Sequence, residues 1–499
     1  MERPPSFSPT DCDRLREVFL RCGYHTDGVL AALGDHAHAA LSRDEPEPAR
    51  RASRDAGDLG TLIRVFLLGD TEPVACLERV FQPLGVDAAV ELGVLEPHGD
   101  GLRAGLDIRP HGDDKHSWWV ISDVDQAQRG RGRNTRRDHV VGVGQASLSL
   151  VRATIRRPVG SVLDVGTGNG VQTLHASTHA ERLTATDVSP RAVALAEATF
   201  RLNRLDVELL HGEWFEPVRG REFDMVVCNP PFVVGPPAVD YTYRDSGLGG
   251  DAASALVVRS LPRHLAPGGT GHLLASWLHR EGEDWTERVA SWLPPGVDAW
   301  IVQRDVADPA LYVGTWLRDA GIDPRSPEGG RKAAAWLDYF TANRVVGVGF
   351  GFVTLRRTDA EPTVVCEDLR QAFDDPLGAE AAAWLDRVQW LREHPDLLRE
   401  RLRVAGSVVL ESIARACDEG WSTTIRRLHR TDGPGWQHEI DELAAALLAG
   451  CRGHLPLGDL VALLAAAHGE EPDRLAAAAA AMARQLVLHG MLEPAEEAS

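Results

Sequence analysis

The most constraining stretch of this 499-residue chain is the run Ser161-Val162-Leu163-Asp164-Val165, which passes directly into Gly166-Thr167-Gly168-Asn169-Gly170. A short apolar run that ends in glycines and leads into helix-forming residues reads as a buried strand, a tight turn and a helix. A strand this apolar is buried only inside a sheet covered on both faces, so the surrounding chain is committed to α/β layers.

The neighbouring residues keep to that plan. Apolar runs at 161–165, 183–187, 207–210, 223–228, 270–275 and 299–303 are separated by helix-length stretches, which predicts a doubly wound sheet over 138–358. The run 345–355 pairs with 299–303 across a long insertion, and the α/β domain should end near Arg357. Residues 9–92 have helical spacing, with Ser8-Pro9 as the first cap and 43–56 as an exposed loop. A turn at His98-Gly99-Asp100-Gly101 then precedes strand-like runs at 102–108 and 118–124, so that 1–128 reads as a mainly helical, winged-helix-like domain with a hairpin. Five arginines interrupted by glycine form a basic loop at 129–137, and 359–499 returns to leucine- and alanine-rich helices.

Composition narrows the function classes. A formal charge of −20 opposes broad attraction to nucleic acid but permits a local basic site. The cysteines at 12, 22, 76, 228, 366, 417 and 451 form no CxxC pair, which suits neither a disulfide framework nor a zinc site. His139, His211 and His272 have no partner at metal-ligand spacing, so no metal is expected. There is no basic-then-apolar leader and no run long enough to span a bilayer, so a soluble, cytoplasmic chain with no membrane partner is expected. Oligomeric state is not legible at this level.

The chemistry concentrates at the ends of three strand runs. A dinucleotide-binding turn has Gly-x-Gly-x-x-Gly, whereas here the third glycine comes one residue sooner and Asp164 precedes the turn, favouring a ligand that carries positive charge. Asp187 ends the second run, where a carboxylate can accept both hydroxyls of a ribose. The fourth run, Phe223–Cys228, ends in Asn229-Pro230-Pro231-Phe232. Two prolines fix that backbone and remove its amide donors, leaving a carbonyl and the Asn229 side-chain oxygen as acceptors for a substrate NH2 group. Holding both N–H groups favours a pyramidal nitrogen with its lone pair free to attack, and Phe232 can stack on the planar group.

In these motifs and their order, 138–358 resembles class I S-adenosylmethionine-dependent methyltransferases of the Asn-Pro-Pro-Phe/Tyr group, which methylate release-factor glutamine or ribosomal-RNA guanine and adenine. The resemblance implies an enzyme with a Rossmann-like, seven-stranded methyltransferase sheet, flanked here by N- and C-terminal mainly helical domains. It implies S-adenosylmethionine as cofactor, held by Asp164, Gly166, Thr167, Gly168, Gly170, Asp187, Val188, Glu213 and Trp214, with Asn229, Pro230, Pro231 and Phe232 as the catalytic group. Glu213 would meet the adenine amino group and Trp214 its ring, with a solvated Glu and a core Trp as the alternatives. Gly142 to Ser147 either covers the methionine end of the cofactor or turns into a helix, and Arg244 and Asp245 would shape the substrate pocket.

The acceptor expected from Phe232 is an exocyclic amine of an rRNA or tRNA base, making RNA or a protein of the translation machinery the partner. Net acidity pulls instead toward a protein or a small substrate. The alternatives are a glutamine N5-methyltransferase acting on a translation factor, a small-molecule methyltransferase, and a non-catalytic S-adenosylmethionine-binding regulator.

Overall fold

The computed structural model describes residues 4–43, 45–125, 136–237, 242–371, 376–418 and 420–495. They divide into two compact units, Met1–Val151 with Arg157–Glu367, and Arg152–Arg156 with Asp368–Ser499. Most of the arginine loop expected at 129–137 lies outside the described residues, which resume at Arg136.

In the first unit, helix Pro9–Cys22 starts where the sequence predicts. Ser8 Oγ accepts from the Asp11 amide at 3.2 Å while Asp11 Oδ2 accepts from the Ser8 amide at 3.0 Å, a reciprocal cap. Part of the expected 43–56 loop is helical, over Pro46–Ala52, where Pro46 stands in the first turn and Glu47 pairs with Arg50 and Arg51. Two hairpins follow instead of one: β1 (Leu95–His98) with β2 (Gly101–Ala104), and β3 (Leu106–Gly112) with β4 (Ser117–Asp123).

The central sheet contains β5 (Val159–Val165), β6 (Ala180–Asp187), β7 (Glu208–His211), β8 (Phe223–Cys228), β9 (Leu265–Arg280), β10 (Val297–Ala307), β11 (Val345–Arg357) and β12 (Val364–Asp368). Their spatial order is β12-β10-β11-β9-β8-β5-β6-β7. Strands β5 to β9 run parallel, and β11 is antiparallel to both β9 and β10. This is the expected doubly wound sheet with one correction: an eighth strand, β12, extends the edge beyond β10. Trp300 Nε1 donates to Glu367 Oε2 at 2.7 Å, fastening that edge. Winding starts at β5, runs out through β6 and β7, then returns to β8 on the other side, so the switch point lies between β5 and β8.

The N-terminal residues share a core with a helix that packs on this sheet. Phe19, Tyr24, Phe66 and Trp119 cluster at ring-centroid distances of 5.2 to 5.9 Å. The same apolar cluster takes in Ala192, Leu195, Ala198 and Leu202 of helix Pro190–Leu202, which follows β6. Polar bonds lock the contact. Asn203 accepts from the Trp119 amide at 3.0 Å and donates to the Trp119 carbonyl at 2.7 Å, and Thr199 Oγ1 accepts from the Ile121 amide at 3.1 Å. At the end of β4 the buried Asp123 binds Arg191 through both carboxylate oxygens and accepts the Val140 amide at 2.9 Å.

The second unit holds helices Leu377–Glu393, Glu442–Gly450, Leu457–His468 and Pro472–Leu488. It also contains strands that a helical reading of 359–499 does not anticipate: β13 (Leu402–Val404) paired with β17 (Leu492–Pro494), and β14 (Val408–Cys417), β15 (Gly420–Arg430) and β16 (Gln437–Glu439) as a three-stranded sheet. Arg430, at the base of β15, donates to both oxygens of buried Glu380, which also pairs with Arg387.

The Asp123–Arg191 pair yields a stability prediction. Removing one partner leaves a buried guanidinium uncompensated, which costs on the order of 3 kcal/mol. Asp123→Asn is expected to lower the urea midpoint accordingly with little change in m-value. An unchanged midpoint would mean that the pair contributes nothing to holding the N-terminal residues on the sheet.

Candidate active site

Strand register alone brings the separated motifs together. Val165 stands opposite Thr186 on one side and Cys228 on the other, while Asp187 stands opposite His211. The glycine turn after Val165, the carboxylate of Asp187, the turn after His211 and the Asn229 tetrapeptide therefore leave the sheet at one edge. That edge is the carboxyl end of the parallel strands at the switch point, where open α/β sheets bind ligands.

A cleft of about 290 Å³ opens there. Gly166, Thr167, Gly168, Asp187, Val188, Glu213, Trp214, Asn229, Pro230 and Pro231 all line it. Asp164, Gly170 and Phe232 are set back from it.

Asp164 is buried beneath the turn. Its Oδ2 accepts hydroxyl bonds from Thr167 at 2.7 Å and Thr173 at 2.8 Å, whereas Oδ1 is buried with no hydrogen-bond partner. Burial raises its pKa to about 6, and the two hydroxyls only partly offset this. Gly168 has a φ of +57°, a left-handed conformation that strains an L side chain, and its amide donates to Asp187 Oδ2 at 2.9 Å. Gly170 serves packing: a Cβ there would lie 2.6 Å from the ring of Phe200.

Asp187 accepts two backbone amides, Gly168 on Oδ2 and Ser189 on Oδ1 at 2.8 Å. Burial raises its pKa, against these amide bonds. Each oxygen keeps lone-pair capacity for the hydroxyls of a ribose. Beyond it, Glu213 is exposed and Trp214 half-buried, the latter with φ of +49°. A bulky residue in that region stores backbone strain, which here coincides with the wall of the cleft.

Asn229 donates from Nδ2 to Ser147 Oγ at 3.3 Å, while its Oδ1 is buried with no hydrogen-bond partner. Ser147 lies in helix Gln145–Ala153, and Gly142 and Ser147 both line the cleft, so the 142–147 segment is at once a wall and the start of a helix. Two residues missed at the sequence level hold it there. Asn169 Nδ2 donates to the Val141 carbonyl at 3.0 Å and Gln172 Nε2 to the Ser147 carbonyl at 2.8 Å. Their signal in the sequence is two amide side chains three residues apart, one in the glycine turn and one in the first turn of the helix Val171–Ala176.

Phe232 packs at 5.3 Å from Phe350 and 6.4 Å from Trp316, between ring centroids. The helix carrying Trp316, Pro309–Asp319, is part of the insertion between β10 and β11, and its Tyr312 hydroxyl accepts the Val234 amide at 2.8 Å. The insertion thus braces the tetrapeptide from behind. Asp245 lines the cleft, whereas Arg244 is buried and donates to the Trp316 carbonyl and to Asp319. Of the arginine loop, Arg136 pairs with Asp138, and the Arg137 carbonyl accepts the amide of Thr242, another residue of the cleft wall.

Three family models match parts of the chain. Residues 141–269 match the family described as Methyltransferase small domain, while 21–105 and 382–494 match two domains of unknown function, DUF7059 and DUF7782. The ribosomal RNA small subunit methyltransferase C of Salmonella arizonae is 37% identical over 137 residues, 27% of this chain and 36% of that protein. The release factor glutamine methyltransferase of Koribacter versatilis is 33% identical over 160 residues, 28% of this chain and 56% of that protein. The chain thus spans less than two thirds of the length of either relative. A T. thermophilus 16S rRNA methyltransferase solved with AdoMet and guanosine is 20% identical, with a TM-score of 0.27 over 43% of this chain and 56% of that one.

A pH dependence follows from Asp164. Its pKa is raised, so the carboxylate takes up a proton as pH falls through about 6 and the negative charge beneath the turn is lost. Affinity for a cationic ligand at the turn should fall across that step in calorimetric titrations of S-adenosylmethionine between pH 5 and 8. Asp164→Asn should bind more weakly and flatten the step, and a wild-type affinity independent of pH would contradict this role.

Proposed function

We propose that this chain, which carries an S-adenosylmethionine-dependent methyltransferase domain over residues 141–269, transfers the methyl group to a planar nitrogen, an exocyclic amine of an RNA base. The supporting observation is the buried, unpartnered Oδ1 of Asn229 at the cleft wall. A buried acceptor left unpaired costs about 1–3 kcal/mol, and an N–H donor arriving with substrate removes that cost.

The residues present fit the cofactor. Gly166 to Gly168 would let it approach the backbone, Asp187 would accept ribose hydroxyls, Trp214 and Val188 would offer apolar surface to the adenine, and Glu213 would take its amino group. When bound, S-adenosylmethionine supplies an electrophilic methyl group on a sulfonium centre.

The chain's own part is positional and electrostatic. The Asn229 Nδ2 group donates to Ser147 Oγ, which leaves Oδ1 as the acceptor. The following Pro230 and Pro231 contribute no competing N–H, so a second N–H of the substrate amine meets a backbone carbonyl of the same turn. Two fixed acceptors stabilise the nitrogen more strongly as it becomes tetrahedral than while it is planar, so they act on the barrier. Phe232, set back from the cleft and packed against Phe350 and Trp316, stiffens the tetrapeptide from behind instead of stacking on the acceptor base, and Asp245 bounds the base's position at the cleft wall.

Asn229→Ala should lower kcat by ~100-fold or more while leaving the affinity for S-adenosylmethionine within about twofold. Turnover close to wild type would refute the mechanism. The acceptor class is tested by adding the purified protein and radioactive S-adenosylmethionine to a lysate from a strain lacking it, and then treating with nuclease or protease. Loss of label to nuclease is the expected result. Label that survives nuclease and is lost to protease would replace the RNA base by a protein amide as the acceptor.

A further inference from the structure

The second unit carries a feature that methyl transfer does not use. β14 is an edge strand of its sheet, ten residues long, with all but Val408 exposed. It contains no proline and no lysine. Val409, Leu410 and Ile413 are 47%, 52% and 42% exposed, and Trp421 on the paired strand is 77% exposed. Natural edge strands are usually short, or interrupted by proline or charge, because a long apolar edge recruits another strand. This one is long and free of proline and lysine; its two charges, Glu411 and Arg415, are of opposite sign, and its pairing with β15 shifts register between Ile413 and Ala414.

We infer that β14 pairs with β14 of a second copy of this chain, antiparallel about a two-fold axis at Ile413. A two-fold axis perpendicular to the sheet keeps opposed side chains on one face only when it passes through a residue. With Ile413 on the axis, Ile413 meets Ile413 of the second copy, and Glu411 stands opposite Arg415 on both sides. All three lie on one face of the strand, because side chains alternate with a period of two. On the other face Leu410 meets Ala416 and Ser412 meets Ala414. Moving the axis one residue either way sets Glu411 or Arg415 against Ile413 and removes both charge pairs. Among the described residues Arg415 has no acidic partner, and Glu411 has only a 3.8 Å contact to Arg427. The register therefore satisfies charge, apolar exposure and the open hydrogen-bonding edge together.

The test uses the full chain in sedimentation velocity across a range of concentrations. The wild type should sediment at twice the chain mass of 54.2 kDa. Arg415→Glu and Glu411→Arg should each shift it to the monomer, since each sets like charges opposite one another twice, and the double exchange Glu411→Arg with Arg415→Glu should restore the dimer. Circular dichroism confirms that each variant is folded, and recovery in the double variant separates lost pairing from lost folding. Ile413→Cys in a Cys417→Ser background should give a covalent dimer on oxidation. A wild-type monomer at every concentration overturns the proposal, including one whose ribbon captures a strand from another protein. Single variants that stay dimeric, or a double variant that stays monomeric, overturn it too.

Discussion

The site depends on the buried carboxylate of Asp164. It sits where strand β5 ends, takes two hydroxyl bonds from Thr167 and Thr173, and so ties both ends of the glycine turn to one point. With the turn fixed, the Gly168 amide reaches Asp187, and Asn169 and Gln172 reach the 141–147 segment. That segment presents Ser147 to Asn229. A single chain of polar contacts thus runs from the base of the cofactor turn to the proposed catalytic amide. Its two unsatisfied oxygens, Oδ1 of Asp164 and Oδ1 of Asn229, stand at its ends.

That arrangement stores cost in the ligand-free protein. A desolvated carboxylate and a desolvated amide oxygen both destabilise the fold until charge or donors arrive. The strained backbone of Trp214 adds to this. Such costs are tolerable because the sheet beneath is rigid, with the central strands β5 and β8 almost entirely buried at their carboxyl ends. Binding free energy that removes them is available for orientation at the reacting centre.

What could be read from the sequence is what is local. The glycine turn, Asp187 and the Asn229 tetrapeptide each carry their meaning within a few residues, and alternation of strand and helix predicts that they share an edge. Long-range pairing leaves no such trace. β12 is a short run whose place beside β10 depends on partners far along the chain, such as Trp300 for Glu367, 67 residues apart. The β14–β15 ribbon escaped because exposed strands lack the apolar alternation that marks half-buried ones. The setback of Phe232 was hidden for a related reason: Phe350 and Trp316 come from the far side of the sheet and from an insertion, and no spacing announces them.

Helix Pro190–Leu202 belongs to two cores at once. Ala192, Leu195, Ala198 and Leu202 pack with the N-terminal helices, while Ala196 and Phe200 pack with Leu174 and Ala185 under the cofactor turn. Its first residue lies three positions after Asp187. One helix therefore joins the N-terminal core to the packing beneath the glycine turn. If a partner held the first hundred residues so that this helix moved, affinity at the cleft would change, and a ligand in the cleft would change that partner's grip by the same factor, because linkage between two sites is reciprocal.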